Sequence, residues 1–393
     1  MRGRAAAQAL ILIACACAAA GARAQEPTAT PADTEHYQLR AELGTEYDSN
    51  AHRVEQISGS GSDVVGSFLQ RLVLAGQLTD QVAPRHAVAV TATGAAKIFD
   101  AAPARSETVA IAQSSLMWRA TIGPRTSLSP SAAYYEAFQS WGPPGDPAGE
   151  RRDFRSLGPT LELRTAPSER TDLGVAAGYR SLVFKPDRDF DFDGPTAAVN
   201  LRWLHDADEG ADWELRVGGS FEHRRFGGPV QVSSCPSDLL LCAGTATRVD
   251  DFVMAQTEMT RTGRVLLSLG YAFQHNGSNS FGETLIRHVA TARIATALPL
   301  DFYLAARADL LFVSYREAVP VAQAETAPGM GGKPYASIEE ENRSSARVDL
   351  SRDVGERVRA LLRYTFYANE LGNSVGEYRR HTLLLSLSFA FEK

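Results

Sequence analysis

Beyond its first two dozen residues the chain has no apolar run approaching the roughly 18 to 20 residues that a membrane helix needs, and its mean hydropathy is -0.19 over 393 residues. Helical transporters and receptors are thereby excluded. Charge is also sparse: 22% of residues are charged, the net charge is -6, and the basic residues are scattered along the whole length. No concentrated basic patch exists for a phosphate backbone, which argues against nucleic acid as a partner. Catalytic signatures are missing too. The chain has eight His but neither Gly-x-Ser-x-Gly nor His-Glu-x-x-His. In contrast, 44% of the residues are apolar, with 32 Gly and 17 Phe, a composition that excludes a disordered polar chain.

The N-terminus is read as an export signal and set aside before fold reasoning. Arg2 and Arg4 precede the apolar stretch Ala5 to Ala20, and Ala22-Arg23-Ala24 supplies a small-x-small cleavage site before Gln25. The expected organisation is a signal peptide at 1–24, a short periplasmic segment at 25–36 and a barrel from 37 to 393. Losing Arg2, Arg4 and Arg23 leaves 37 basic against 46 acidic residues, a mature charge near -9. Leu12-Ile13-Ala14-Cys15 offers the alternative of a lipoprotein site with Cys15 lipidated.

Of four cysteines, Cys15 and Cys17 leave with the signal, and Cys235 and Cys242 remain. An exported chain with two nearby cysteines suggests a disulfide. Closing so short a loop stabilises by about 2 to 3 kcal/mol in the loop-entropy model, enough to staple a loop without carrying the fold. The alternative, a metal pair, lacks nearby His partners.

Period-two alternation runs through the remaining sequence in stretches longer than the five or six residues typical of globular strands. In the last, Leu383, Leu385, Leu387, Phe389 and Phe391 share one face, while Thr382, Ser386 and Ser388 share the other, expected to point into water. Likewise Phe302, Leu304, Ala306, Ala308, Leu310 and Phe312 oppose Arg307 and Asp309. About sixteen strands (14 to 18) fit this alternation, and the connections between them alternate between short and long. Short turns include 123–125, 261–263 and 297–299; long loops include 48–63, 139–153, 184–195, 225–249, 315–343 and 369–378. That asymmetry predicts an all-β fold, a transmembrane antiparallel β-barrel with short periplasmic turns, long extracellular loops and both termini periplasmic. A bilayer admits only helices or closed barrels, and the helices are already excluded.

The end Tyr378-Arg-Arg-His-Thr-Leu-Leu-Leu-Ser-Leu-Ser-Phe-Ala-Phe391 resembles the C-terminal strand by which Gram-negative outer-membrane barrels are recognised for assembly, with Glu392 and Lys393 extending past the usual aromatic end. Glu46-Tyr47-Asp48-Ser49-Asn50 and Asn373-Ser374 are similar to the ends of porin-type barrels from exopolysaccharide-export and capsule loci. The resemblance implies an integral outer-membrane protein whose partners are membrane lipid and lipopolysaccharide, the assembly machinery and periplasmic export proteins. It further implies a conduit for polysaccharide export, with a general or solute-specific porin as the alternative. A lipid-modifying enzyme barrel and a structural surface protein are the remaining readings.

Sixteen strands leave a lumen wide enough for water. The residues expected to line it are Arg40, Glu42, Glu46, Glu162, Arg164, Arg180, Arg202, Glu214, Arg216, Glu222, Glu258, Arg287, Arg307, Asp309, Arg347, Asp349, Arg359 and Arg363, a lining mixed in sign. Arginine rows suit a path for anionic or hydroxylated solutes; alternating charges also simply solvate a lumen and pair across strands. Asp187, Asp189, Asp191 and Asp193 precede Gly194 and resemble the opening of a calcium loop, but Asn200 stands where the twelfth-position Glu belongs, so a solvated acidic loop is the competing reading. No other cofactor is expected. His381 is expected to be the one outward His at the extracellular rim and has no convincing serine partner. Glu339-Glu340-Glu341 reads as a solvated loop end, and Trp141-Gly-Pro-Pro-Gly-Asp-Pro147 as a loop able to fold inward as a constriction.

Overall fold

The computed structural model describes residues 36–53, 64–139, 153–185, 188–207, 211–233, 235, 241–317, 343–369 and 378–392. The proposed signal segment 1–24, Cys15, Asp187, the 141–147 cluster and the 339–341 acidic run lie outside them. The described chain forms sixteen strands: β1 His36–Asp48, β2 Ser67–Ala83, β3 His86–Phe99, β4 Val109–Gly123, β5 Thr126–Gln139, β6 Phe154–Ser168, β7 Thr171–Phe184, β8 Phe192–Ala207, β9 Ala211–Val232, β10 Cys242–Thr262, β11 Val265–Ser278, β12 Leu285–Leu298, β13 Phe302–Tyr315, β14 Ser344–Gly355, β15 Val358–Ala368 and β16 Arg379–Glu392. Each pairs antiparallel with its sequence neighbours, and β1 pairs with β16, so the sheet closes into a barrel. Closure leaves no edge strand.

The two ends of the barrel differ. At one end successive strands are separated by only two or three residues, at 84–85, 124–125, 169–170, 208–210, 263–264, 299–301 and 356–357; at the other by the longer intervals 49–66, 100–108, 140–153, 185–191, 233–241, 279–284, 316–343 and 369–378. No described helix is long and apolar enough to cross a membrane, and the helical pieces are the 3-10 turns Ala102–Glu107 and Arg188–Phe190.

Strand boundaries depart most from the expected ones in β9 and β10, which run 22 and 21 residues. Gly227, Gly228 and Pro229 signal a loop in sequence, yet Val249 pairs with Arg225, Thr247 with Pro229 and Cys242 with Val232, with register shifts between them. The expected loop at 225–249 therefore shrinks to 233–241. The two glycines serve close approach, since a Cβ at Gly227 would meet the Arg188 carbonyl oxygen at 2.6 Å, and one at Gly228 the Asp189 Cα at 2.8 Å. The 3-10 turn after β7 thus lies directly on β9, held by the Gly227 N–H donating to the Asp191 carbonyl at 2.8 Å.

Alternation sorts the side chains. Leu43, Leu116, Leu161, Val175, Val217, Leu269, Ile294, Leu310, Val348, Leu362 and Leu385 all point outward and are exposed. Tyr47, Phe68, Phe138, Phe221, Phe312 and Tyr364 ring this belt toward the long-loop end, and Tyr37, Trp118, Trp203 and Phe391 ring it toward the turns. The packed core lies inside the barrel toward the long-loop end, where Val109, Ile111, Ala137, Phe154 and Leu182 form one cluster and Ala51, Leu69, Phe99 and Ala104 another.

Candidate functional site

The inner face is the candidate site, and its chemistry follows from register. Residues paired across an antiparallel ladder point to the same side, so one buried polar residue fixes a whole row. Glu42, Glu46 and Asp48 alternate on β1 and are buried, whereas Leu43 and Tyr47 between them are exposed. Carried around the barrel, this parity sets Arg40, Glu42, Glu46, Glu162, Arg164, Arg180, Arg202, Glu214, Arg216, Glu222, Glu258, Arg287, Arg307, Asp309, Arg347, Asp349, Arg359 and Arg363 on the inner face.

The structure brings them together as local pairs. Charges two apart on one strand share a face, and seven such pairs bond along their own strands: Arg40 with Glu42, Arg164 with Glu162, Arg216 with Glu214, Arg224 with Glu222, Arg248 with Asp250, Arg307 with Asp309 and Arg347 with Asp349. Cross-strand bonds join the pairs, with Arg363 Nε and Nη2 donating to the Asp349 oxygens at 2.9 and 3.0 Å. Arg180 reaches Glu222, and Arg202 reaches Glu214 at 3.1 Å.

Although the lining is mixed in sign, the signs are not equally presented. In Arg40–Glu42 the side chains are 57% and 6% exposed, in Arg216–Glu214 58% and 19%, and in Arg307–Asp309 34% and 13%. The short carboxylates sit back against the wall and the long guanidinium groups reach past them. Water in the lumen therefore meets mostly positive charge.

Sequence reading missed a second population, the buried basic residues on β2, β3 and β16 that pair with the carboxylates of β1. Arg380 donates to Asp48 from Nε at 2.9 Å and from Nη2 at 2.5 Å, Lys97 Nζ donates to Glu46 at 2.9 Å, and Arg71 Nε lies 3.2 Å from Glu42 Oε1. Lys97 had a usable signal between Ala96 and Ile98, and Arg71 a weaker one before Leu72, whereas Arg380 stands between Arg379 and His381 and no alternation marks it. Arg293 was missed although it shares parity with Arg287 on β12.

The described aspartates of the run, Asp189, Asp191 and Asp193, are not gathered into a ligand set. Asp191 closes its own turn, accepting from the Phe184 backbone N–H and Arg188 Nε, each at 2.6 Å. Asp193 points outward and accepts from the Tyr179 hydroxyl. Asp189 packs on Gly228. Among the described residues no three His, Cys, Asp or Glu side chains converge as a metal site. Cys235 and Cys242 are joined by a disulfide, Cα atoms 5.8 Å apart, at the tip of the β9–β10 hairpin.

Two expectations need correction. His381 does face outward, but it is not the one outward rim His: its Nδ1 lies 2.7 Å from the Tyr364 hydroxyl, and His288 repeats the arrangement with the Tyr271 hydroxyl at 2.6 Å. His288 alternates with the outward Ile286 and Ala290, so parity alone put it there. Ser386 does not point into water. It faces inward but is 2% exposed, because the side chain packs against Gly44 of the neighbouring β1.

No protein-family model and no curated protein matches the chain. Among solved structures it is similar to Salmonella typhi OmpF in complex with daunomycin, at 8% identity over 91% of this chain and 97% of that one, TM-score 0.48. It is similar also to Pseudomonas aeruginosa OccK2 (11% identity, 91% and 97%, TM-score 0.47) and to an anion-selective porin from Comamonas acidovorans (9%, 91% and 99%, TM-score 0.46). Values this low speak to neither cargo nor mechanism. What the register itself establishes is a closed sixteen-strand antiparallel β-barrel with an apolar outside and a charged inside.

Proposed function

We propose that this chain is an integral outer-membrane channel through which small hydrophilic solutes diffuse. One observation carries the reading: an exposed belt of Leu, Val, Ile and aromatic side chains encircles a barrel whose inner face carries solvent-accessible ion pairs. Hydrocarbon tolerates only structures whose backbone groups are paired internally, and a closed ladder satisfies that condition. The two aromatic rings sit where the interfaces of a bilayer would fall. In this reading the tight turns and both termini are periplasmic, the leader at 1–24 directs export, and β16 is the strand presented to the assembly machinery.

A diffusion channel is preferred over the polysaccharide conduit expected from the strand-end resemblance. Paired charges around a wide lumen suffice to hydrate and pass small solutes, whereas export calls in addition for an apparatus to which no described feature points. The test is reconstitution of the folded, heat-modifiable protein in planar bilayers. Stepwise ion conductance and swelling of liposomes in small sugars are expected; a correctly folded barrel with no conductance would refute the channel.

A further inference from the structure

Beyond the aromatic ring at the long-loop end, the outside of the barrel differs from sector to sector. Past Tyr47 and Phe312 the outward positions continue with Ser49 and Ser314, and past Tyr364 with Phe366. Past Phe221, however, β9 continues with His223 and then Arg225, which is exposed. Charge extends along the same rim, since Arg155 on β6 is exposed and Lys185 after β7 holds its Nζ 4.6 Å from the centre of the outward Phe138 ring.

A concavity of about 560 Å³ opens on the outside in this sector, with Tyr179, Val183, Asp193, Pro195, His223 and Arg225 in its lining. It lies where the ladder between β8 and β9 lapses: Asp193 pairs with Arg225 and Thr196 with Glu222, but Gly194 and Pro195 between them are skipped. Proline has no N–H to offer a neighbouring strand. The acidic groups are engaged. Asp193 accepts from the Tyr179 hydroxyl, Asp191 closes its own turn with Arg188 at 2.6 Å, and Asp251 lies 2.8 Å from His223 Nδ1. Arg225 is joined to no carboxylate among the described residues.

Height identifies what this concavity meets. A strand rises about 3.3 Å per residue and tilts by about 40° in a membrane barrel, so His223 and Arg225 stand about 5 and 10 Å beyond Phe221. The headgroup layer that begins at such a ring is about 5 to 8 Å thick. The guanidinium of Arg225 therefore stands on the lipid side, at the depth of lipid phosphates.

We propose that the concavity binds the phosphorylated headgroup of an outer-leaflet lipopolysaccharide. Arg225 donates to a phosphate through its fork, a charge-assisted contact for which guanidinium is suited, while Val183 and Pro195 pack against the adjoining sugar. Arg155 and Lys185 add attraction for the anionic surface. The proposal rests on the outer-membrane part of the channel reading and not on conduction.

The experiment uses the full-length folded barrel in mixed detergent micelles with bisphosphorylated lipid A as probe and the same lipid A dephosphorylated as comparison, read by native mass spectrometry and calorimetry. The phosphorylated form is expected to bind at least tenfold more tightly, and Arg225→Gln should weaken it at least fivefold. Arg264→Gln, which removes an exposed arginine in the turn after β10 at the opposite end, should bind as wild type does. If Arg225→Gln gives no heat-modifiable band, Pro195→Glu, which sets a carboxylate in the concavity, takes its place with the same expected loss. Equal binding of the two lipid forms, unchanged affinity in the site variant, an equal loss in Arg264→Gln, or displacement of lipid A by excess inorganic phosphate would each overturn the site. Phosphate-dependent lipid A binding by a non-conducting barrel would sustain the site and reject the channel; a conducting barrel indifferent to the phosphates would do the reverse.

Discussion

Replacing Arg380 by Leu tests whether charges buried inside this barrel carry its closure. Asp48 and Arg380 meet through two bonds of 2.9 and 2.5 Å with side chains 0% and 3% exposed, and Asp48 also accepts from the Asn50 backbone N–H at 3.0 Å. Losing the guanidinium leaves a carboxylate with no access to solvent, and breaking a buried pair in this way costs about 3 to 5 kcal/mol. The same barrel supplies the contrast. Arg359 and Asp353 also make two bonds, at 2.6 and 3.2 Å, but lie largely in water, and removing one partner of an exposed pair costs about 0.2 to 1 kcal/mol. Urea unfolding in lipid vesicles, followed by Trp fluorescence, should therefore separate Arg380→Leu from Arg359→Leu by several-fold in stability change. The double variant Asp48→Leu with Arg380→Leu should recover much of the loss, because a buried pair exchanged for apolar residues of similar volume is often neutral. Equal, small losses in the two single variants, or no recovery in the double, would show that solvent reaches the seam and that burial has been misjudged.

Leu385→Arg should lose up to about 2 to 4 kcal/mol if this outward position lies near the bilayer midplane, while Ser388→Arg, inward and beside Glu42 in register, should assemble normally; heat-modifiability of the two reads the difference. Ser386→Arg, one residue from Leu385 and two from Ser388, should fail to assemble because the Ser386 side chain is already enclosed against the wall at 2% exposure. Cys235→Ser should release one titratable thiol and leave the barrel heat-modifiable, since the disulfide closes only the tip of one hairpin; loss of the folded band would contradict this. Burial raises the carboxyl of Glu283, in the turn between β11 and β12, above its ordinary value despite Arg248 at 2.9 Å. A raised folded value means that the ionised form is the disfavoured one, so stability is greatest below the unfolded value and falls as pH rises through the folded one. Melting curves of wild type and Glu283→Gln from acid to neutral pH should diverge in favour of the variant as pH increases, and parallel curves would exclude the effect.

The barrel was legible because its two signals are local. Alternation such as Leu383 to Phe391 fixes strand and face together, and short intervals between strands mark successive hairpins. The β9–β10 extension was not legible, because Gly227, Gly228 and Pro229 carry the same signature whether they form a loop or accommodate another segment lying on a strand. Which residues face inward could be read from parity; which of them meet water could not. Ser386 and Arg307 have the same parity rule and opposite environments, decided by Gly44 in one case and by an open wall in the other. That Arg293, Arg307 and Arg347 are register partners on β12, β13 and β14 depends on the alignment of three strands, which no single stretch of sequence encodes.

The seam between β1 and β16 differs from every other ladder in the distance along the chain that it spans. Fifteen ladders join neighbouring strands, whereas Asp48 and Arg380 are 332 residues apart. The entropy lost in closing a loop grows with its length, and contacts of long sequence separation form late. Hairpins can therefore arise one after another as a curved open sheet, with β1 and β16 as its two unpaired edges until the final step. A chain halted at that stage would expose both edges to pairing with other chains, and the Asp48–Arg380 pair, which meets across the seam, exists only in the finished ring.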